Sequence, residues 1–365
     1  MASIKLKGDT SGEVTISSPA VAGTTTLELP TTSSTLATEN ALGVRNLVIN
    51  GDMRIAQRGT STTGLQYNND NNYPCCDRWK FQEFGSTSYT ASFTGSQDTD
   101  VPSGQGFTNS LKLACTTADT TVESDTQLIW AHNFEGQMLQ HLKFGTSNAE
   151  SLTLSFWVKS NLTGTFAVNL YNADNIRHAT HTYSISTADT WEKITLTFSG
   201  DTVDGFNNDN SFALAIRFLL AVGSNHTSGT STSGDFIEYD ATRIAPSMTN
   251  NLGGSTSNYW QITGVQLEIG SVTEFEHRPY DMELARCQRY YFAGDGVRMW
   301  NFTGGTIAVA IPHLFPVTMR STPTVTDPNS SARSAITKNG FSAYKNSIGS
   351  GGSWQMTGIT ADAEL

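Results

Sequence analysis

Between residues 150 and 270 apolar side chains recur at every second position, and no other feature constrains the fold as tightly. "LTLSFWVKS" puts Leu152, Leu154, Phe156 and Val158 on one side, and "GTFAVNLYN" does the same with Phe166, Val168 and Leu170. "WEKITLTFSG" follows with Ile194, Leu196 and Phe198, and "SFALAIRFLL" with Phe212, Leu214, Ile216 and Phe218. Successive side chains of a strand point to opposite faces, so each segment reads as a strand with one buried face. In "YWQITGVQLEIG" Trp260 and Ile262 keep the phase, then Val265, Leu267 and Ile269 resume it after Gly264. A glycine at such a phase shift predicts a β-bulge. Polar turns separate the segments and no helical spacing intervenes. The pattern predicts an all-β protein built on an antiparallel jelly-roll β-sandwich.

The flanks differ in texture, which divides the chain into an arm (1–40), the sandwich (41–278) and a short helix with a small C-terminal β-domain (279–365). In the arm, "EVTIS" and "TTLELP" alternate cleanly within Ser/Thr-rich turns, with Val14 and Ile16, then Leu27 and Leu29, in phase. So few apolar residues cannot hold a hairpin in water, so other chains are expected to order it. In the last region "TIAVAIP" alternates through Ile307, Val309 and Ile311, and short strands are expected around Phe341, Trp354 and Ile359. With the Gly/Ser run "SIGSGGS" this region is expected to have a thin core that copies of itself would complete.

The junction "SVTEFEHRPYDMELARCQRYY" (271–291) concentrates reactive side chains: His277, Cys287, carboxylates and arginines. Pro279 suits a helix's first turn, Asp281 and Glu283 its positive end, and Arg286 and Arg289 its negative end. Tyr280, Leu284, Cys287 and Tyr291 would form one apolar stripe. Cys287 then packs rather than reacts, while His277 precedes the proline outside the helix. The segment reads as a structural joint.

Charge narrows the partners. A net charge of −11 lacks the clustered Lys and Arg that nucleic acid or an anionic membrane surface requires. Neutral ligands such as glycans remain open, and the low share of charged residues, 15%, suits exposed β-surface and turns better than long surface helices. Cys75, Cys76, Cys115 and Cys287 form no CxxC pair, and reduced thiols are expected. "MASIKLKGDTSGE" has no apolar run, so no secretory leader is expected. "FALAIRFLLAV" is too short to span a bilayer and carries Arg217, so a soluble protein is expected.

No catalytic constellation stands out. GxSxG, HExxH and phosphate-loop motifs are missing, and no carboxylate pair can be nominated for glycoside hydrolysis, so a non-enzyme is expected. His178 and His181 in "HATH" read as solvated loop residues rather than metal ligands. Asp201, Asp204 and Asp209 in "GDTVDGFNNDN" read as turn formers rather than a calcium loop. No metal or cofactor is expected. Sugar recognition uses aromatic faces, and the candidates are Trp130, Tyr171 and Tyr183 in the sandwich and Trp300, Tyr344 and Trp354 in the last region. Trp300 and Trp354 rank first because they flank Gly-rich turns.

Three segments, "NLVINGDMRIAQRG" (46–59), "DRW" (77–79) and "GVQLEIGSVTEFEHRPYDMELARCQRYY" (264–291), closely resemble segments of bacteriophage tail fibre proteins. The arm "SGEVTISSPAVAGTTTLELPTTSSTLAT" (11–38) is similar to the one preceding them there. The middle, with "LSFWVKS", "TWEKITLTFSG" and "WQITGVQLEIG", resembles the jelly-roll of carbohydrate-binding modules. Where those modules have an aspartate before the closing Val-x-Leu strand this chain has Thr263-Gly264, and their structural calcium is not carried over. The resemblance implies a homotrimeric virion appendage made in the host cytoplasm. Residues 1–40 would hold phage tail or adaptor/nozzle proteins, and the distal β-domains would bind a host surface glycan or outer-membrane receptor. A head fibre and a polysaccharide-degrading tailspike are the alternatives.

Overall fold

The computed structural model describes residues 3–7, 13–17, 45–67, 73–85, 88–303 and 305–365. Two compact units divide it, Met1–Gly43 and Val44–Leu365. In the first, β1 (Ser3–Lys7) pairs antiparallel with β2 (Glu13–Ser17), Leu6 opposite Val14. The second alternating stretch expected of the arm, Thr25–Pro30, lies outside the described residues.

The second unit begins with the sandwich. Its strands are β3 (Ser61–Leu65), β4 (Trp79–Phe84), β5 (Ser92–Asp98), β6 (Ser110–Thr117), β7 (Gln127–Glu135) and β8 (Leu152–Ser160). They continue as β9 (Gly164–Asn172), β10 (Arg177–Ile185), β11 (Glu192–Phe198), β12 (Phe212–Val222), β13 (Ile237–Glu238) and β14 (Tyr259–Ile269). Two 6-stranded antiparallel sheets result, in the orders β13-β10-β9-β12-β7-β4 and β11-β8-β14-β6-β5-β3. Each period-two segment singled out between residues 150 and 270 is one of these strands.

The facing sides close on Trp79, Trp130, Trp260, Phe81, Phe93, Phe156 and Phe166, all fully buried. Phe218 meets Phe156 at 5.1 Å and Trp260 at 5.5 Å between ring centroids, which locks the sheets in register. The bulge expected in β14 is there: pairing with β8 slips between Thr263 and Gln266, and Gly264 has φ +62. The Phe107 ring fills the space a Cβ at Gly264 would need, 2.5 Å from its position.

Beyond the sandwich come α1 (Tyr280–Gln288), β15 (Tyr291–Gly294), β16 (Arg298–Trp300), β17 (Ile307–Leu314) and β18 (Thr324–Thr326). The chain then runs through β19 (Ala332–Thr337), β20 (Gly340–Ile348), β21 (Ser353–Gln355) and β22 (Ile359–Asp362). They form sheets of order β15-β22-β18, β16-β21 and β17-β20-β19. This region is less lean than its composition suggested. Phe292, Ile311, Phe315, Met319, Phe341, Trp354 and Met356 bury together as a core of its own. Val297, Met299, Trp300, Phe302 and Leu314 nevertheless remain exposed there.

The joint at 271–291 is structural, and the expected stripe holds except at its start: Leu284 packs, Cys287 and Tyr291 (in β15) are buried, Tyr280 is exposed, and Glu283 and Tyr290 turn inward as well. The reason is electrostatic. Arg278 pairs with Glu283 at 3.1 Å and donates to Val48 O at 2.9 Å and to Asn46 O, while Glu283 accepts from the Asn50 N–H. Asn50 in turn bonds Ile55 N, Ile55 O and Asp77 O, each at 2.9 Å, and Asn46 bonds Val48 N and Val265 O. Arg78, fully buried, lies 3.5 Å from the Tyr290 ring and pairs with Glu364. The segments 46–59, 77–79 and 264–291 thus meet in one buried polar network. All four cysteines are buried and unpaired, and burial pushes the Cys287 thiol well up. No helix among the described residues is long and apolar enough to cross a membrane.

Candidate ligand-binding surface

The nominated aromatics divide by strand parity. Trp130 and Tyr183 point into the sandwich and are core residues, not sugar platforms. Trp130 packs edge-on to Phe81 at 6.0 Å; Tyr183 stacks on Phe166 at 5.8 Å, and its hydroxyl accepts from Trp260 Nε1 at 3.4 Å. Tyr171 falls on the opposite parity of β9 and is half-buried on the outer face of its sheet.

Pairing register lays out that outer face. Asn133, Ala215, Tyr171 and His178 make one row; Lys80, Ala131, Arg217, Asn169 and Thr180 make the next. The Arg217 guanidinium lies 3.8 Å from the Tyr171 ring centroid. Tyr239, beyond the edge strand and 39% exposed, sets its ring edge-on to Tyr171 at 6.0 Å and 5.5 Å from His178. The guanidinium makes no hydrogen bond or ion pair among the described residues, and its Nε is buried without an acceptor. Burial pulls the Arg217 pKa down. Leaving a cation so placed is unfavourable, and stacking on tyrosine offsets it only in part. The arrangement holds fork-like donors against an aromatic wall.

The histidines expected in a solvated loop lie on β10 instead. His178 is fully buried: its Nδ1 is 2.9 Å from the Asn169 amide, and Nε2 accepts from Asp240 N at 3.3 Å. Burial pushes its pKa down to about 4. His181 points to the other face, its ring nitrogen 2.8 Å from Thr197 O. Asp201 is occupied by Arg177, 2.6 Å from Nε. No group of three or more His, Cys, Asp or Glu among the described residues is placed to hold a metal ion.

A second concavity lies in the C-terminal region. Asn329, Lys345, Ser347, Ser353, Trp354 and Gln355 line a groove of about 400 Å³. Trp354 is a wall, 6% exposed, with Nε1 donating to Asn329 O at 3.0 Å. Trp300 pairs across from Ser353 and is 50% exposed, its ring stacked toward Phe302 at 6.5 Å. Tyr344 hydrogen-bonds Ser334 on the neighbouring strand and does not line the groove. Trp300 lies across from Ser353 and Trp354 across from Met299, so the two indoles leave opposite faces of the β16–β21 pair; of the nominated aromatics Trp354 alone lines the groove, and Tyr344 stands apart. Sequence reasoning missed Arg217 and Tyr239. The signal for Arg217 was its odd parity, between Ile216 and Phe218, in an otherwise apolar strand.

No protein-family model matches the chain, and no curated protein matches it in sequence. Among solved structures it is similar to the enzymatically active domain of tailspike protein 4 of bacteriophage CBA120 (12% identity, TM-score 0.30), over 57% of this chain and 21% of that one. It is also similar to a family 11 carbohydrate-binding module of a Clostridium thermocellum cellulosomal cellulase (12% identity, TM-score 0.29), over 58% of this chain and 96% of that one. A xylan-binding domain from Paenibacillus barcinonensis (11% identity, TM-score 0.25) covers 53% and is itself covered over 87%. At similarities of this size the jelly-roll sandwich stands on its own strand order and register.

Proposed function

We propose that this chain is a bacteriophage appendage protein, a trimeric tail fibre that binds a host surface glycan without cleaving it. The observation that carries the reading is the Tyr171–Arg217–Tyr239 face: a guanidinium with no acceptor among the described residues, laid on one aromatic ring and bordered by a second, exposed one. Sugars present CH faces to aromatic rings and hydroxyl or carboxylate oxygens to donors, so both halves of such a ligand have a partner here. The groove walled by Trp354 would add a further contact, and three copies would raise avidity without a strong single site. Residues 1–40 would hold phage tail or adaptor/nozzle proteins, and the exposed apolar residues of the C-terminal region would meet sister copies.

Full-length protein applied to a microarray of bacterial surface glycans is expected to mark a restricted set. Arg217→Met is expected to lower that signal about tenfold, one bidentate contact's worth, while raising the melting temperature, because it removes an uncompensated buried charge. Binding unchanged in Arg217→Met would overturn the assignment of this face, and release of new reducing ends would overturn the non-cleaving reading. Sedimentation of the intact chain is expected to give three copies; a stable monomer at micromolar concentration would remove the trimer.

A further inference from the structure

Within the joint, the loop "SVTEFEHRP" (271–279) ties into the fold through Thr273, Glu276 and Arg278, while Glu274, Phe275 and His277 converge on the outer face of the opposite sheet. There Ser155 and Trp157 of β8, Lys193 of β11 and Gly264 of β14 form a floor. Lys193 is directly across from Trp157 in the pairing, and the bulge at Gly264 leaves the floor without a side chain where the strand turns. Gln105 and Phe107 make one wall, and Glu274, Phe275 and His277 the other, around about 120 Å³.

The walls are built differently from the floor. Phe107, Phe275 and His277 pack on one another, Phe107 against Phe275 at 5.0 Å and Phe275 against His277 at 4.9 Å, both edge-on. Those rings are held by each other. Trp157, half-buried on the strand, belongs to no ring pair and its indole N–H has no acceptor among the described residues. Nor do the side chains of Lys193, Glu274, His277 and Gln105 make a hydrogen bond or ion pair there. One unengaged indole face ringed by an ammonium, a carboxylate, an imidazole and an amide is an arrangement of donors and acceptors around an aromatic platform.

We propose that this groove is a second carbohydrate subsite, holding a single pyranose ring stacked on Trp157, with Glu274 accepting from hydroxyls and Lys193 donating to ring substituents. It lies on the sheet opposite to Arg217, so the two sites are independent. Naming sugar as the ligand class rests on the reading of the Arg217 face, whereas the site itself rests on the groove.

Saturation-transfer NMR on the full chain tests it, with the methyl glycosides of glucose, galactose, mannose, N-acetylglucosamine and glucuronic acid as probes. At least one glycoside is expected to keep its signal in Arg217→Met and to lose it about tenfold in Trp157→Ala, the order of one aromatic stacking contact. Glu274→Gln, an isosteric change on an exposed loop, is expected to weaken the same signal several-fold with an unchanged melting temperature, which guards against misfolding of the tryptophan variant. If every signal that survives Arg217→Met also survives Trp157→Ala and Glu274→Gln, the second site is overturned and the first stands. Loss of all signals in Arg217→Met alone has the same meaning. Silence of every glycoside with the wild-type chain would count against both sites.

Discussion

Arg278→Ala is expected to destabilise the chain by about 3–5 kcal/mol, the cost of breaking a buried ion pair from one side. Both partners are almost fully buried, 4% exposed each, so solvent cannot replace the lost guanidinium. Four acceptors would lose this donor at once: the Glu283 and Glu276 carboxylates and the carbonyls of Val48 and Asn46. Glu283 would keep the Asn50 N–H and little else to offset its charge. The double variant Arg278→Met/Glu283→Gln should recover much of the loss, since the penalty comes from the orphaned charge more than from the missing pair. Urea denaturation of both variants measures this. A loss below about 1 kcal/mol in the single variant, the scale of a surface pair, would show that the network does not hold the joint.

Acid is expected to act through two buried histidines. Burial, reinforced by Arg78, holds His132 far below its ordinary pKa, and burial holds His178 down at about 4. Between pH 6.5 and 4 the unfolded chain binds protons at these sites and the folded chain does not, so stability falls as pH falls. For His178 alone the loss amounts to about 3 kcal/mol by pH 4. Asp77 works in the other direction. Burial raises its carboxyl to about 6, so the folded chain takes up a proton first and gains about 2 kcal/mol between pH 6 and 4. Asp77 offsets most of the His178 loss, while His132 and the carboxyls held below their usual range, Glu135 among them, act toward acid instability. Denaturation midpoints at pH 7 and pH 4 are expected to drop in the wild type. The drop should shrink by about 3 kcal/mol in His178→Gln and grow by about 2 kcal/mol in Asp77→Asn. Parallel curves for all three would contradict the account.

Strands were legible because their cause is local. Leu152 to Val158 and Phe212 to Phe218 alternate within a single segment, and the slip at Gly264 is visible as a break in phase. The buried face of α1 was legible only in part: Leu284 and Cys287 pack as their spacing predicts. Spacing alone favours Tyr280, but the side chain that turns inward is Glu283, and its reason is Arg278 together with a backbone N–H more than 200 positions away in sequence (separation 233). The same holds for the candidate surface. Tyr171 could be named as an aromatic on a strand, yet Trp130 and Tyr183 were named on equal grounds and are core, because parity in a long apolar strand depends on which face the partner sheet covers. Arg217 and Tyr239 come together from β12 and a loop after β13, and no spacing in either segment announces the other. Nothing in the sequence singles out Trp157, and what makes it a candidate is the chain folded over it from 105–107 and 274–277.

A crystal structure of the full chain bound to an oligosaccharide taken from its strongest array signal would test the account most directly. The account predicts a sugar ring ordered against Tyr171 and Tyr239, with a hydroxyl or carboxylate oxygen within hydrogen-bond distance of the Arg217 guanidinium. A ligand seated elsewhere on the chain, with the Arg217 guanidinium still lacking an acceptor, would contradict it.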